Sequence, residues 1–118
     1  MVQQLTNRIF PVDLSSFDVS TLTGTYQAVN GTGLSYGCFM IQFTNDSTSD
    51  VTISFDGVND HEFIPGTADT ISRNVMQINA SNFSSHPVVF PKNTVIYVKG
   101  SAGTGNFYVS GYGQREVS

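Results

Sequence analysis

Apolar and polar residues alternate with a period of two in several short windows, and no helical window exceeds two turns. The cleanest window is Val51-Thr52-Ile53-Ser54-Phe55, which puts Val51, Ile53 and Phe55 on one side. Asp56-Gly57 follows, a pair suited to a hairpin turn. His61–Ile64 reads as the return strand, stopped by Pro65-Gly66. Upstream, Thr25–Asn30 is a short strand closed by Asn30-Gly31-Thr32-Gly33. Tyr36–Thr44 sets Cys38 and Met40 against Phe39, Ile41 and Phe43, and 45–50 reads as a polar loop. Downstream, Ala68–Asn79 predicts one bent strand or two short ones, Asn82–His86 a loop, and Val88–Phe90 a brief strand before Pro91-Lys92-Asn93. Thr94–Lys99 and Asn106–Tyr112 are two more strands, joined by the small residues of Gly100–Gly105 as a flexible hairpin turn.

Turn signals thus recur at intervals of roughly 8–14 residues, which argues for a sandwich or small barrel rather than alternating strands and helices. The expected fold is all-β: a single antiparallel β-sandwich of jelly-roll or Greek-key type. Residues 1–20 are weakly patterned, and Pro11 restricts them to an N-terminal arm or an edge strand. Residues 21–113 are the sandwich, and 114–118 read as a C-terminal tail that a partner would order. On this reading, removal of residues 1–20 leaves the sandwich folded.

Composition narrows the function. The chain has 118 residues, of which 12% are charged and 39% hydrophobic, and its formal net charge is −4. Lys and Glu occur twice each, at Lys92, Lys99, Glu62 and Glu116, too rarely for a helical bundle. The acidic balance argues against a nucleic-acid partner. One cysteine, Cys38, excludes a disulfide scaffold, and its apolar surroundings suggest a buried small hydrophobe. No apolar run approaches the ~18 residues of a membrane span, so no membrane partner is expected. Met1-Val2-Gln3-Gln4-Leu5 lacks the basic-then-apolar order of a secretory signal.

The search for reaction chemistry turns up little. His61 and His86 are the two histidines, and neither has metal-ligand spacing to Cys38 or to the other. No Gly-x-Ser-x-Gly surrounds any serine. Asp56, Asn59 and Asp60 cluster oxygens in a turn, and Asp46 and Asp50 do so in the preceding loop. If Tyr36–Thr44 pairs with Val51–Phe55, those two loops lie at opposite ends of a hairpin. Gly100–Gly105 lacks the Gly-Lys-Ser/Thr ending of a phosphate loop. No catalytic residue, cofactor site or metal site is assigned, and the chain is expected not to be an enzyme.

Aromatic residues say more. There are nine Phe and five Tyr but no Trp. Phe39, Phe43, Phe55, Phe63, Phe90 and Phe107 fit core positions, while Tyr36, Tyr97, Tyr108 and Tyr112 fit outward ones. Tyrosine is enriched in contact surfaces, and a small β domain with few charges has weak protection for its edges and faces. Phe10, Pro11, Tyr97, Tyr108 and Tyr112 are therefore the candidate interface residues.

Two stretches carry a resemblance. One is Phe43-Thr44-Asn45-Asp46 with Val51-Thr52-Ile53-Ser54-Phe55-Asp56-Gly57. The other is Phe90-Pro91-Lys92-Asn93-Thr94-Val95-Ile96-Tyr97-Val98-Lys99-Gly100 with Gly103-Thr104-Gly105-Asn106-Phe107-Tyr108-Val109-Ser110-Gly111-Tyr112-Gly113. Over residues 25–113 the chain resembles the small β-sandwich virion proteins of tailed bacteriophages. The resemblance implies a structural role in the virion, made in the host bacterial cytoplasm. It implies either a decoration or cement protein on the capsid or a head-tail connector ring in the neck. The implied partners are copies of the chain and other virion proteins, major capsid or portal and neck proteins. A different class of function, a carbohydrate- or receptor-binding module of a phage tail, would use exposed Tyr and Asn/Asp loops.

Overall fold

The computed structural model describes residues 7–35, 37–68, 72–79 and 90–116, with 7–10 and 114–116 as backbone alone. Among these residues the chain forms eight strands: β1 (Asn7–Asp18), β2 (Gln27–Ala28), β3 (Cys38–Ser47), β4 (Val51–Ser54), β5 (Glu62–Ile64), β6 (Asn74–Asn79), β7 (Tyr97–Gly100) and β8 (Gly105–Glu116). Two four-stranded antiparallel sheets result, ordered β1-β8-β3-β6 and β2-β7-β4-β5. The pairs β1–β8, β2–β7, β3–β6 and β4–β5 are nested from the chain ends inward and alternate between the sheets. That is the winding of a jelly roll. The fold is thus an all-β antiparallel sandwich.

The predicted β4–β5 hairpin forms around Asp56-Gly57, with Val51 opposite Ile64 and Ile53 opposite Glu62. Two other pairings differ from expectation. β3 does not pair with β4; it pairs with β6 and β8, while β4 pairs with β5 and β7. Likewise 101–104 is not a hairpin turn, because β7 and β8 lie in different sheets. In both places a short polar turn carries the chain across the sandwich. The two crossings support one another: the Thr48 amide donates to the Thr104 carbonyl at 2.9 Å, and the Thr104 amide to Thr48 Oγ1 at 3.0 Å. Gly105 adopts φ 110, and a Cβ there would collide with the Asp46 carbonyl.

β3 also outruns its predicted end at Thr44, reaching Ser47. A register shift between Cys38 and Met40 puts Cys38 and Ile41 on the same inner face, although they are three residues apart. Strict alternation assigned them to opposite faces. Ile41, Phe43, Phe107, Ile53, Ile96, Val98, Val51 and Val19 are fully buried, as is Cys38. Burial pushes the Cys38 thiol up. Aromatic rings run through this core: Phe107 stacks on Phe43 at 6.0 Å, Phe43 meets Phe55 at 6.2 Å, and Phe55 stacks on Phe90 at 5.7 Å. Two phenylalanines expected in the core are elsewhere. Phe63 pairs with Thr52 on the outer face, because its neighbour Ile64 takes the inward position. Phe39, beside the register shift, is half-buried and outside the core cluster.

Residues 7–18 form an edge strand, β1, that runs along β8 and sends Val12 and Phe17 against the core. Its register shifts between Val12 and Ser15. A 3-10 turn, Val19–Thr21, follows, capped by the Asp18 carboxylate accepting from the Ser20 amide at 3.0 Å. That bond holds the Asp18 carboxyl below its usual value. The backbone of 114–116, expected in a tail, continues β8 opposite 7–9. Residues 1–6 and 117–118 lie outside the described residues.

Candidate protein interface

Register assembles the outward residues of the first sheet into rows that cross three or all four strands. Pro11, Tyr112, Met40 and Asn79 form one row; Ser110, Gln42 and Gln77 the next; Ser16, Tyr108, Thr44 and Val75 a third. Asp18, Asn106 and Asp46 close the end. None of the first three rows holds a charged residue. Tyr112 is 40% exposed and Val75 54%, and the register shift in β1 adds Leu14 at 63%. The polar members bond along the surface: Gln77 Nε2 donates to Gln42 Oε1 at 3.3 Å, and Asn79 Nδ2 to Gln77 Oε1 at 3.4 Å. Covering those three rows strips water from amides, hydroxyls and apolar groups but from no ion, which keeps the desolvation cost low. Tyr and Met on an uncharged patch are the residue types that protein contact surfaces favour.

The outer face of the second sheet is organised differently. Lys99, Thr52 and Phe63 form one row and Ala28, Tyr97 and Ser54 another. The β4–β5 loop folds over them. Asp56 Oδ1 accepts from the Val58 and Asn59 amides, both at 2.8 Å, and from Ser54 Oγ at 2.8 Å. The Asn59 and Val58 amides, with the Asn59 and Ser54 side chains, hold the Asp56 carboxyl far below its usual value. At the far end, Asp60 accepts from the Tyr26 hydroxyl and from Lys99 Nζ at 3.0 Å. Lys99 Nζ also sits 4.7 Å from the centre of the Tyr26 ring. The Tyr26 and Lys99 hydrogen bonds hold Asp60 low, while partial burial and then the Asp60 bond push the Tyr26 phenol up to about 12. His61 is exposed; its Nδ1 accepts from the Phe55 amide at 3.0 Å, and its Nε2 stands 3.9 Å from Asp56. This is a pinned loop over a mixed surface, with Phe63 53% exposed beside it.

Of the five candidate residues, the structure brings together Pro11, Tyr108 and Tyr112 on the first sheet and puts Tyr97 on the second. The backbone of Phe10 lies opposite Gly113; its side chain is outside the described residues, as are Tyr36 and His86. Sequence reasoning missed Met40, Val75 and Leu14 on the first face and Phe63 on the second. Val75 carried a usable signal, since Asn74–Asn79 alternates; Leu14 carried none, because a register shift has no local sequence mark. The two acidic loops lie at opposite ends of β4 rather than of a β3–β4 hairpin. Among the described residues no three His, Cys, Asp or Glu side chains group to hold a metal ion, and no helix there is long and apolar enough to cross a membrane.

No family model and no curated protein matches this chain. Two solved structures do. A chain in the structure titled sacbrood virus of honeybee, expansion state I, is 13% identical with a TM-score of 0.37, over 100% of this chain and 87% of that one. A chain in a second structure of sacbrood virus of honeybee has the same identity and TM-score, over 100% of this chain and 73% of that one. A likeness of this level assigns no role, and the strand order described above stands without it.

Proposed function

We propose that this chain is a non-enzymatic structural subunit of a virus particle, of the tailed-phage kind that its turn-and-strand motifs resemble. It sits on the capsid shell as a decoration or cement protein or in the neck as a head-tail connector. Its neighbours are copies of itself and major capsid or portal and neck proteins. The observation that carries this reading is the outer face of the first sheet, where three successive rows hold no charge and Pro11, Met40, Tyr108 and Tyr112 share one continuous surface. Jelly rolls recur in viral shells, and that analogy adds weight at the level of fold alone. Weak contacts suffice when symmetry repeats them.

Tyr112→Lys tests it. The substitution adds a charge to the face at a position exposed enough to keep the fold. Co-sedimentation with particles assembled from the encoding virus should fall at least ten-fold, while Thr25→Lys, outside the face, leaves it unchanged. Equal recovery of both variants would overturn the reading. Quantitative mass spectrometry of the particles separates the two stations, because a neck ring holds about a dozen copies and a decorated shell many more.

The alternative, a carbohydrate- or receptor-binding module, has one observation in its favour. Phe63 stands half-exposed between Thr52, Asp60, His61 and Glu62 on one side and Asp50, Ser101 and Ala102 on the other. An aromatic ring flanked by polar groups suits a sugar ring. Glycan-array binding abolished by Phe63→Ala would favour it.

A further inference from the structure

The two sheets have four edge strands, β1, β6, β2 and β5. An exposed edge offers unpaired amides and carbonyls to any other strand, and folded proteins blunt it with proline, charge, irregular register or shortness. Three of the four edges are blunted in those ways. β1 carries Pro11, Asp13 and a register shift. β2 has two residues, and β5 has three, one of them Glu62. β6 has none of these devices. Its six residues, Asn74-Val75-Met76-Gln77-Ile78-Asn79, include no charge and no proline, and it pairs with β3 in unbroken register. Among the described residues no strand lies on its other side.

We propose that β6 pairs with β6 of a second copy of this chain, antiparallel and across a two-fold axis centred on Gln77. The axis stands perpendicular to the sheet, so each pair must join residues of the same face. Centring on Gln77 sets Met76 against Ile78 twice on the inner side. On the outer side it sets Gln77 against Gln77 and Val75 against Asn79. Met76 and Ile78 are half-buried against the core of their own copy, so this register joins apolar rows across the seam. Centring on Met76 instead would set Ile78 against Asn74. The paired sheets run β1-β8-β3-β6-β6-β3-β8-β1, and the uncharged rows of their outer faces become one surface. No charge is buried and no charges oppose. The pairing goes beyond the virion reading and does not depend on it.

Sedimentation velocity of the full chain over a concentration series tests this. The wild-type chain should show a dimer. Gln77→Lys sets two ammonium groups directly opposite; Gln77 is exposed, so circular dichroism should be unchanged while dimerisation weakens at least ten-fold. Gln77→Cys should form a covalent dimer on oxidation, since directly opposed Cβ atoms approach to about 4.5 Å, the reach of a disulfide. Leu14→Cys, on the opposite edge, should not. A wild-type monomer at every concentration overturns the proposal. A dimer insensitive to Gln77→Lys, or one cross-linked by Leu14→Cys in place of Gln77→Cys, overturns it as well.

Discussion

Asn45 shows how far a single residue can depart from its local appearance. Its neighbours read as a polar loop, and Asn-Asp-Ser is a glycosylation sequon, yet it is fully buried in β3. Its side-chain amide donates to the Ser49 carbonyl at 2.8 Å, to Ile64 at 3.1 Å and to Pro65 at 3.2 Å, and its oxygen accepts from Ser47 Oγ. One side chain thereby ties the β3–β4 crossing to the end of β5. Buried carbonyls that lose their donor are costly, so Asn45→Ala should destabilise the chain by about 2–3 kcal/mol. A lower urea midpoint at unchanged slope is the expected signature. A midpoint equal to that of wild type would show that water replaces the amide. No pattern in the sequence marks Asn45 as buried, because its partners lie up to 20 residues away. Phe43 and Phe107 were legible, since each sits in an alternating window whose face the sheet preserves.

At the scale of elements, the β4–β5 hairpin was the most legible part of the chain. Strict alternation and Asp56-Gly57 act within a few residues, and Gly57 takes the positive φ of 78 that the turn needs. The same loop has a pH dependence. Asp56 and Asp60 both titrate below the ordinary aspartate value of 3.8, Asp56 through its loop amides and Asp60 through Tyr26 and Lys99. A carboxyl lowered in the folded state contributes stability that is fully present above the unfolded value and is lost as the pH falls through the folded one. Urea midpoints should therefore decline as the pH falls below 3.8. Asp56→Ala should start lower and show a flatter decline there. Parallel curves for the two proteins would mean that Asp56 is not part of the acid response. The crossings at 48–50 and 101–104 were not legible as crossings. A polar turn reads the same in sequence whether its strands pair or part.

The whole molecule depends on its ends. β1 and β8, first and last in the chain, lie side by side, and Val12, Phe17 and Val19 from the first twenty residues contribute to the core. Removing residues 1–20 should therefore abolish cooperative unfolding, against the expectation from sequence that a folded sandwich would remain. A sigmoidal thermal melt of the truncated chain by circular dichroism would contradict this. The outer face of the first sheet belongs to the same scale, since its rows join residues from four strands. By itself the sequence determined the strand class, most of the turns and the apolar parity within each window. These follow from local backbone preference and from a period of two, which neighbouring residues set. Only the tertiary structure decided which strands pair, which parity faces inward after a register shift, and that Pro11, Met40, Tyr108 and Tyr112 meet on one surface. Those depend on hydrogen bonds between segments up to a whole chain length apart, and no short stretch of sequence encodes its partner.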